Sequence, residues 1–209
     1  MVTEIGKHRV KCGNLMDGIS DLMQGEKADI FYSDPPWGKG LLKYWQTLNS
    51  KMNNAPNTNI DFESFLNQMF SVAVKHTKKN SVIFVEYGYQ WAGLIIHKGE
   101  NAGLMHLGTA NPLYKSGSKL LPMNLHVFAK TPISITSNYL SSISGTKGIE
   151  TLRTAIKPFA IKDKLILDPA CGLGYTAKIA IENKMIFYGN EINKKRLDST
   201  INLLRKGND

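Results

Sequence analysis

The chain has 209 residues, a formal net charge of +9 and a pI near 9.4, which favours one domain with its own core and a polyanionic partner. Of its 26 basic residues 22 are Lys, mobile point charges that suit phosphate attraction better than base-edge readout; a merely solvated Lys-rich surface is the competing explanation. Two cysteines, Cys12 and Cys171, exclude a disulfide framework and a Cys-based zinc site, no segment approaches the roughly 20 apolar residues of a membrane span, and no apolar signal core opens the chain.

Apolar runs alternate with helical patterns, which predicts an α/β fold with a mostly parallel sheet flanked by helices. The first strand is expected near residues 10–12, with a short helix near 18–24. Residues 28–33 form the next strand and deliver Asp34 to its carboxyl end. Residues 38–60, rich in Gly, Asn, Lys and Thr, lose apolar periodicity after Trp45 and read as a long functional loop. Asp61 is placed to cap a helix over 62–79, whose Phe62, Phe65, Leu66, Met69, Phe70 and Ala73 form a core-facing stripe. A buried strand over 81–87, a helix near 89–98 and strands near 103–109 and 123–129 follow. The link 111–121 carries Lys115 and Lys119 and reads as an exposed basic loop, while 131–148, rich in Ser, Thr and Gly, reads as a flexible connector. A helix over 149–160, a strand over 164–168, a helix over 175–183, a strand over 185–190 and a helix over 194–205 close the chain.

Two runs carry chemistry. The first is Asp34-Pro35-Pro36-Trp37, directly after a strand. An aromatic amine is a poor nucleophile because its lone pair is delocalised into the ring. Asp34 can accept a hydrogen bond from one N–H of such an amine, and the Pro35 carbonyl can accept from the other. Two acceptors favour an electron-rich, more tetrahedral nitrogen as an electrophile arrives, and Asp34 can take the leaving proton. Pro35 and Pro36 fix the loop and remove competing N–H donors. Trp37 offers a face on which an extruded base can stack. A Pro-rich turn with a buried Trp is the plain structural alternative.

The second run is Asp168-Pro169-Ala170-Cys171-Gly172-Leu173-Gly174, between a strand and a helix. Gly172 and Gly174 permit a tight turn that brings backbone close to a ligand, and the following helix presents free N–H groups. Cys171 reads as a small packing residue inside this loop. Glu191, at the end of the next strand, can accept both hydroxyls of a ribose. Together these point to a nucleoside-bearing cofactor.

On these residues the chain resembles the permuted DNA amino-methyltransferases, in which the amine motif precedes the cofactor loop. The likeness covers about residues 8–40 and 123–206. The family's Asp-Pro-Phe-x-Gly-Ser-Gly-Thr-Thr loop is matched at Asp168, Pro169, Gly172, Gly174 and Thr176, with Ala170, Leu173 and Tyr175 in place of Phe, Ser and the first Thr. Phe187-Tyr188-Gly189-Asn190-Glu191-Ile192-Asn193 is similar to the family's Phe-x-Gly-x-Glu-Ile-Asn, and Met123–Lys130 to its strand ending in Phe-x-Lys. Gly13-Asn14 stands where the family has a Gly-Asp pair that helps hold the cofactor adenine. Thr146-Lys147-Gly148 stands where the family has Gln-Lys-Pro.

The resemblance implies a Rossmann-like, seven-stranded, mostly parallel sheet in a single methyltransferase domain over 1–209, with both ligands at the carboxyl ends of the strands. It implies S-adenosylmethionine as cofactor, held by Gly13, Asn14, Asp168, Pro169, Cys171, Gly172, Gly174, Thr176, Glu191 and Ile192, with Asp34 shared between cofactor and amine. It implies DNA as partner, with RNA left open, and a cytoplasmic, nucleoid-associated protein of a prokaryote or virus that functions as monomer or homodimer. Asp before Pro-Pro leans toward adenine N6 over cytosine N4. The target-contact region is short, at about 38–60 and 111–121, where Lys39, Lys43, Tyr44, Lys115 and Lys119 are the candidate DNA contacts, so a short or relaxed target is expected. Methylation of RNA or of a protein amide, a nicotinamide-dependent oxidoreductase and an inactive nucleic-acid-binding module remain as alternatives. The five histidines show no ligand spacing, and no metal is expected.

Overall fold

The structure, a computed structural model, describes residues 2–53 and 59–207. In chain order the elements are β1 Val2–Ile5, β2 His8–Cys12, α1 Ser20–Met23, β3 Ala28–Ser33, α2 Gly38–Asn53, α3 Phe62–His76, β4 Thr77–Gly88 and α4 Ala92–Asn101. They continue with β5 Met105–Ala110, β6 Leu113–Ser116, β7 Lys119–Ala129, α5 Ser137–Ile143, α6 Ile149–Ile156, β8 Leu165–Asp168, α7 Tyr175–Glu182, β9 Ile186–Glu191 and α8 Lys194–Gly207.

The sheet order is β1-β2-β9-β8-β3-β4-β7-β5, with β6 hairpinned onto β7. The strands β2, β9, β8, β3 and β4 run parallel, and β7, β5 and β1 are antiparallel to their neighbours. The described residues therefore hold nine strands rather than the seven expected. The two additions are short and only partly buried, so they lack the apolar signal of core strands. One is β1, turned back on β2 through Gly6 in the left-handed region (φ 56°). The other is β6.

Each strand alternates its side chains between two helical layers. Phe31, Ile83, Val85, Tyr87 and Leu167 pack with Leu22, Met23, Leu66, Met69, Phe70 and Ile95 from α1, α3 and α4. On the other face Ile30, Tyr32, Phe84, Val127, Ile166 and Phe187 pack with Leu152, Ile156, Ala177, Ile179, Leu197 and Leu204 from α6, α7 and α8.

Three expected loops are structured. Residues 38–53 are helix α2; the rest of that predicted loop, 54–58, lies outside the described residues. The basic link 111–121 is mostly a β-hairpin, with Ser116 opposite Lys119 and Gly117 turning at φ 61°. The connector 131–148 contains α5, capped by the Thr136 hydroxyl and anchored by the Tyr139 hydroxyl, which donates to the Ala155 carbonyl at 2.6 Å. Its Ser- and Thr-rich composition hid Tyr139, Leu140 and Ile143, which reach the second core. The helix expected over 62–79 is capped by Asp61 as predicted but stops at His76, because Thr77 turns extended and begins β4.

The chain leaves β3 for β4 on one side and leaves β8 for β9 on the other. Strand order thus reverses between β3 and β8, and a crevice opens beyond their carboxyl ends. Ligands of open α/β sheets bind at such a point.

Candidate active site

At that crevice the loops after β2, β3, β8 and β9 converge on a cavity of about 810 Å³. The register sets the alignment: Cys12 pairs with Glu191, Asp168 with Gly189, and Phe31 with Leu167. Four strand ends therefore finish level, and each contributes its next residues to one wall. Of the predicted site residues, Gly13, Asn14, Asp34, Pro35, Pro36, Trp37, Pro169, Glu191 and Ile192 line the cavity.

The Asp34 loop is held from behind. The buried Tyr87 hydroxyl accepts the Gly38 N–H at 2.8 Å and donates to the Pro36 carbonyl at 3.1 Å. Trp37 donates its Nε1–H to Asp34 Oδ1 at 3.0 Å, fixing the carboxylate. Tyr114 meets the Trp37 ring edge-on at 4.8 Å, and both rings line the cavity. The Asp34 carboxylate opens onto the cavity, yet the surrounding walls strip enough water to raise its pKa to about 6, against the opposing Trp37 hydrogen bond and the Arg196 charge. Gly38 sits at φ 76°, and a Cβ there would come within 2.7 Å of the Trp91 ring. Gly38→Ala is expected to destabilise the fold by about 1–3 kcal/mol, read as a lower midpoint in urea unfolding.

The cofactor side is tied by backbone. Glu191 accepts the Gly172 N–H at 2.9 Å and the Asn193 N–H at 2.8 Å. Burial raises its pKa, opposed by those backbone hydrogen bonds. Asn190 donates to the carbonyls of Gly13 and Pro169, both at 3.1 Å, while its buried Oδ1 has no partner among the described residues. Asp168 lies behind the wall: it accepts the Ala170 N–H at 3.1 Å and the Thr176 hydroxyl at 2.6 Å, so it shapes the turn. Cys171 is buried, and its N–H bonds the Asn190 carbonyl. Gly174, at φ 86°, caps α7 with Thr200 against it: a Cβ would lie 2.8 Å from the Thr200 hydroxyl. Asp168, Cys171, Gly172, Gly174 and Thr176 thus support the wall without lining it. Asn14 lines the cavity while its side-chain oxygen caps the short helical turn after it, accepting the Met16 N–H at 3.0 Å.

Sequence reading missed one whole wall. Leu41, Leu42, Trp45, Gln46, Asn49 and Ser50 of α2 face the cavity, at a helical spacing. Side-chain contacts join α2 to the start of α8, among them one from Asn193 to Met52 Sδ. Asn193 donates to Asn49 Oδ1 at 3.0 Å, and the Arg196 guanidinium lies 4.0 Å over the Trp45 ring. A cation–π contact of this kind contributes about 0.5–2 kcal/mol. The candidate DNA contacts Lys39, Lys43, Tyr44, Lys115 and Lys119 do not line the cavity; they are exposed on α2 and on the β6–β7 hairpin, whose Tyr114 and Ser116 do line it. The histidines lie elsewhere, no group among the described residues is arranged to hold a metal ion, and no described helix is long and apolar enough to cross a membrane.

Neither the protein-family models nor the curated proteins give a match to this sequence. Solved structures do match, and the fold is theirs. The chain is similar to the M1.HpyAVI–SAM complex at 14% identity and a TM-score of 0.67, over 93% of this chain and 98% of that one. TTHA0409 from Thermus thermophilus, complexed with S-adenosyl-L-methionine, aligns at 11% identity and a TM-score of 0.65, over 96% and 94% of the two chains. The PvuII DNA methyltransferase, which is cytosine-N4-specific, aligns at 12% identity and a TM-score of 0.62, over 94% and 85%.

Proposed function

We propose that this protein is a single-domain DNA methyltransferase that moves a methyl group from S-adenosylmethionine to an exocyclic base nitrogen, with adenine N6 favoured. One observation carries the reading: Asp34 and Glu191, 157 residues apart in sequence, line the same cavity at the point where strand order reverses.

The residues present fit such a cofactor. The Glu191 carboxylate accepts the Gly172 and Asn193 N–H groups, with the Ile192 backbone N–H also acting on it, and its remaining lone pairs suit ribose hydroxyls. The unpartnered Asn190 Oδ1 is a buried acceptor with no internal use, which is uncommon unless a ligand donor meets it. When bound, the cofactor supplies an electrophilic methyl on a sulfonium.

The remaining work falls to the chain. Asp34 and the Pro35 carbonyl accept the two amine hydrogens and stabilise positive charge developing on nitrogen. Trp37 and Tyr114 receive the extruded ring. The Asp34 carboxylate takes the proton that the amine loses. Lys39, Lys43, Lys115 and Lys119 are exposed and are assigned to contacts with backbone phosphates, in keeping with a short target.

Cytosine N4 is the second reading, favoured by the N4-specific PvuII enzyme among the structures of this fold. Incubating the purified protein with labelled S-adenosylmethionine and mixed-sequence DNA, then separating nucleosides by mass spectrometry, tests both. N6-methyl-2′-deoxyadenosine is expected; N4-methyl-2′-deoxycytidine alone would overturn the base, and no transfer to any DNA would overturn the function. The rate is also expected to fall about tenfold per pH unit as Asp34 is protonated below about pH 6.

A further inference from the structure

We propose that a buried carboxyl cluster behind the cavity wall, Glu86 with Asp168 beneath Asp34, holds a proton that it releases when a cationic cofactor binds and keeps when an uncharged one occupies the same place. Of the three, only Asp34 lines the cavity itself. The inference rests on the cofactor reading above: S-adenosylmethionine is a sulfonium cation, and its demethylated product, S-adenosylhomocysteine, is a neutral thioether. The two ligands share the ribose and adenine contacts, so their difference is one of charge, felt through the wall by the buried pair.

The geometry is set by the sheet. The strands β8, β3 and β4 are adjacent and parallel. Ser33 pairs with Val85 and Phe31 with Leu167, so one residue further on Asp34 comes level with Glu86, and Tyr32 with Asp168. Period-two alternation puts Tyr32, Glu86 and Asp168 on the same face. All three are buried, and the Tyr32 hydroxyl donates to Glu86. Around them β7 sets Leu125 opposite Glu86, α7 supplies the Thr176 hydroxyl to Asp168, and β9 brings the Glu191 carboxylate. The Arg196 charge acts on Asp34 and Glu191.

Buried carboxyls with no cation beside them hold their protons. Burial and then the Asp34 charge push Glu86 well above the usual carboxylate range, and burial pushes Asp168 to about 7. A sulfonium set into the cavity reverses the balance by favouring the ionised form. One carboxyl O–H bond breaks, its proton passes to buffer, and the carboxylate left behind matches the ligand's positive charge. No bond forms to the ligand. After methyl transfer the positive charge is gone, the buried pair takes its proton back, and the spent cofactor loses that electrostatic hold. The preference for the charged cofactor should therefore widen with pH, up to about tenfold per unit for each proton released.

Calorimetric titration tests this directly. Each ligand is titrated into the whole protein at about pH 6.5 in two buffers of different ionisation heat, which counts the protons exchanged. Roughly one proton released with S-adenosylmethionine and none with S-adenosylhomocysteine is expected. The affinity ratio of the two should rise about fivefold or more between about pH 6 and pH 7. Glu86→Gln keeps the side-chain shape without the titratable proton and should shrink both differences. Equal proton counts for the two ligands, or a flat ratio, would overturn the proposal; an unchanged difference in folded Glu86→Gln would remove Glu86 from it. Should that variant fail to fold, the wild-type series is repeated at about pH 7.5, where Asp34 is already ionised; a proton still released with S-adenosylmethionine then comes from the buried pair, and none released overturns the proposal. Binding of neither ligand would instead overturn the cofactor reading on which the proposal stands.

Discussion

Asp34→Ala is expected to slow methyl transfer by about a thousandfold while changing S-adenosylmethionine affinity only a few-fold. Single-turnover transfer of labelled methyl measures the first, and calorimetry the second. The split follows from the proposed roles: Asp34 chiefly accepts the amine, and the Glu191 contacts proposed to hold the ribose do not involve it. Asp34→Asn is the sharper probe. Trp37 donates to Oδ1, so an asparagine keeps its oxygen toward Trp37 and turns its NH2 to the cavity. That group would face the hydrogens of the target amine, donor against donor. We therefore expect Asp34→Asn to be nearly as slow as Asp34→Ala. An asparagine variant within threefold of wild type would mean that Asp34 is not the amine acceptor.

Glu191→Ala should weaken S-adenosylmethionine binding about a hundredfold, since hydrogen bonds to a charged group contribute roughly 1.5–3 kcal/mol each. It should also loosen the empty protein. The same carboxylate holds the Gly172 and Asn193 N–H groups, one in the glycine loop and one at the start of α8. Losing both ties is expected to cost about 2 kcal/mol, a fall of roughly 4–8 °C in melting temperature for a chain of this size. Glu191→Gln offers partial relief, because its single carbonyl satisfies one N–H and its NH2 opposes the other. The order wild type, Gln, Ala is expected in thermal unfolding without ligand. A variant that loses affinity at full stability would show that the ties to the loop are dispensable.

The strands that bear the chemistry were legible because short apolar runs, at 30–32 and 165–167, end in chemically distinctive loops. Asp34-Pro35-Pro36-Trp37 and the pair Gly172 and Gly174 could be placed at strand ends without coordinates. The α2 wall could not. Its cavity stripe begins with Leu41, Leu42 and Trp45 and continues with Gln46, Asn49 and Ser50, so the helical period persists while hydrophobicity fades. A helix that faces a polar cavity loses the signal on which periodicity depends. Gly38 and Gly40 at its start add to the disguise. Arg196 was hidden for a different reason: its role comes from lying over Trp45, 151 residues earlier, and no local pattern encodes that meeting. Glu86 stood in plain view as an acid inside a run read as a buried strand, yet its neighbours Asp34 and Asp168 come from other strands.

The hairpin of β6 and β7 has a consequence for how such an enzyme could acquire new targets. Strand β7 spans Lys119–Ala129, but its pairing with β4 begins only at Met123; the stretch before that pairs with β6 alone. It is a cantilever, rooted in the sheet and free at a glycine tip that bears Lys115 and Lys119. Residues inserted between Ser116 and Lys119 would lengthen the arm at a cost of about 0.6 kcal/mol per doubling of the tip, with no core side chain displaced. On the proposed function, a grafted tip would retune which duplex sequence is gripped and leave the residues around the cavity as they are.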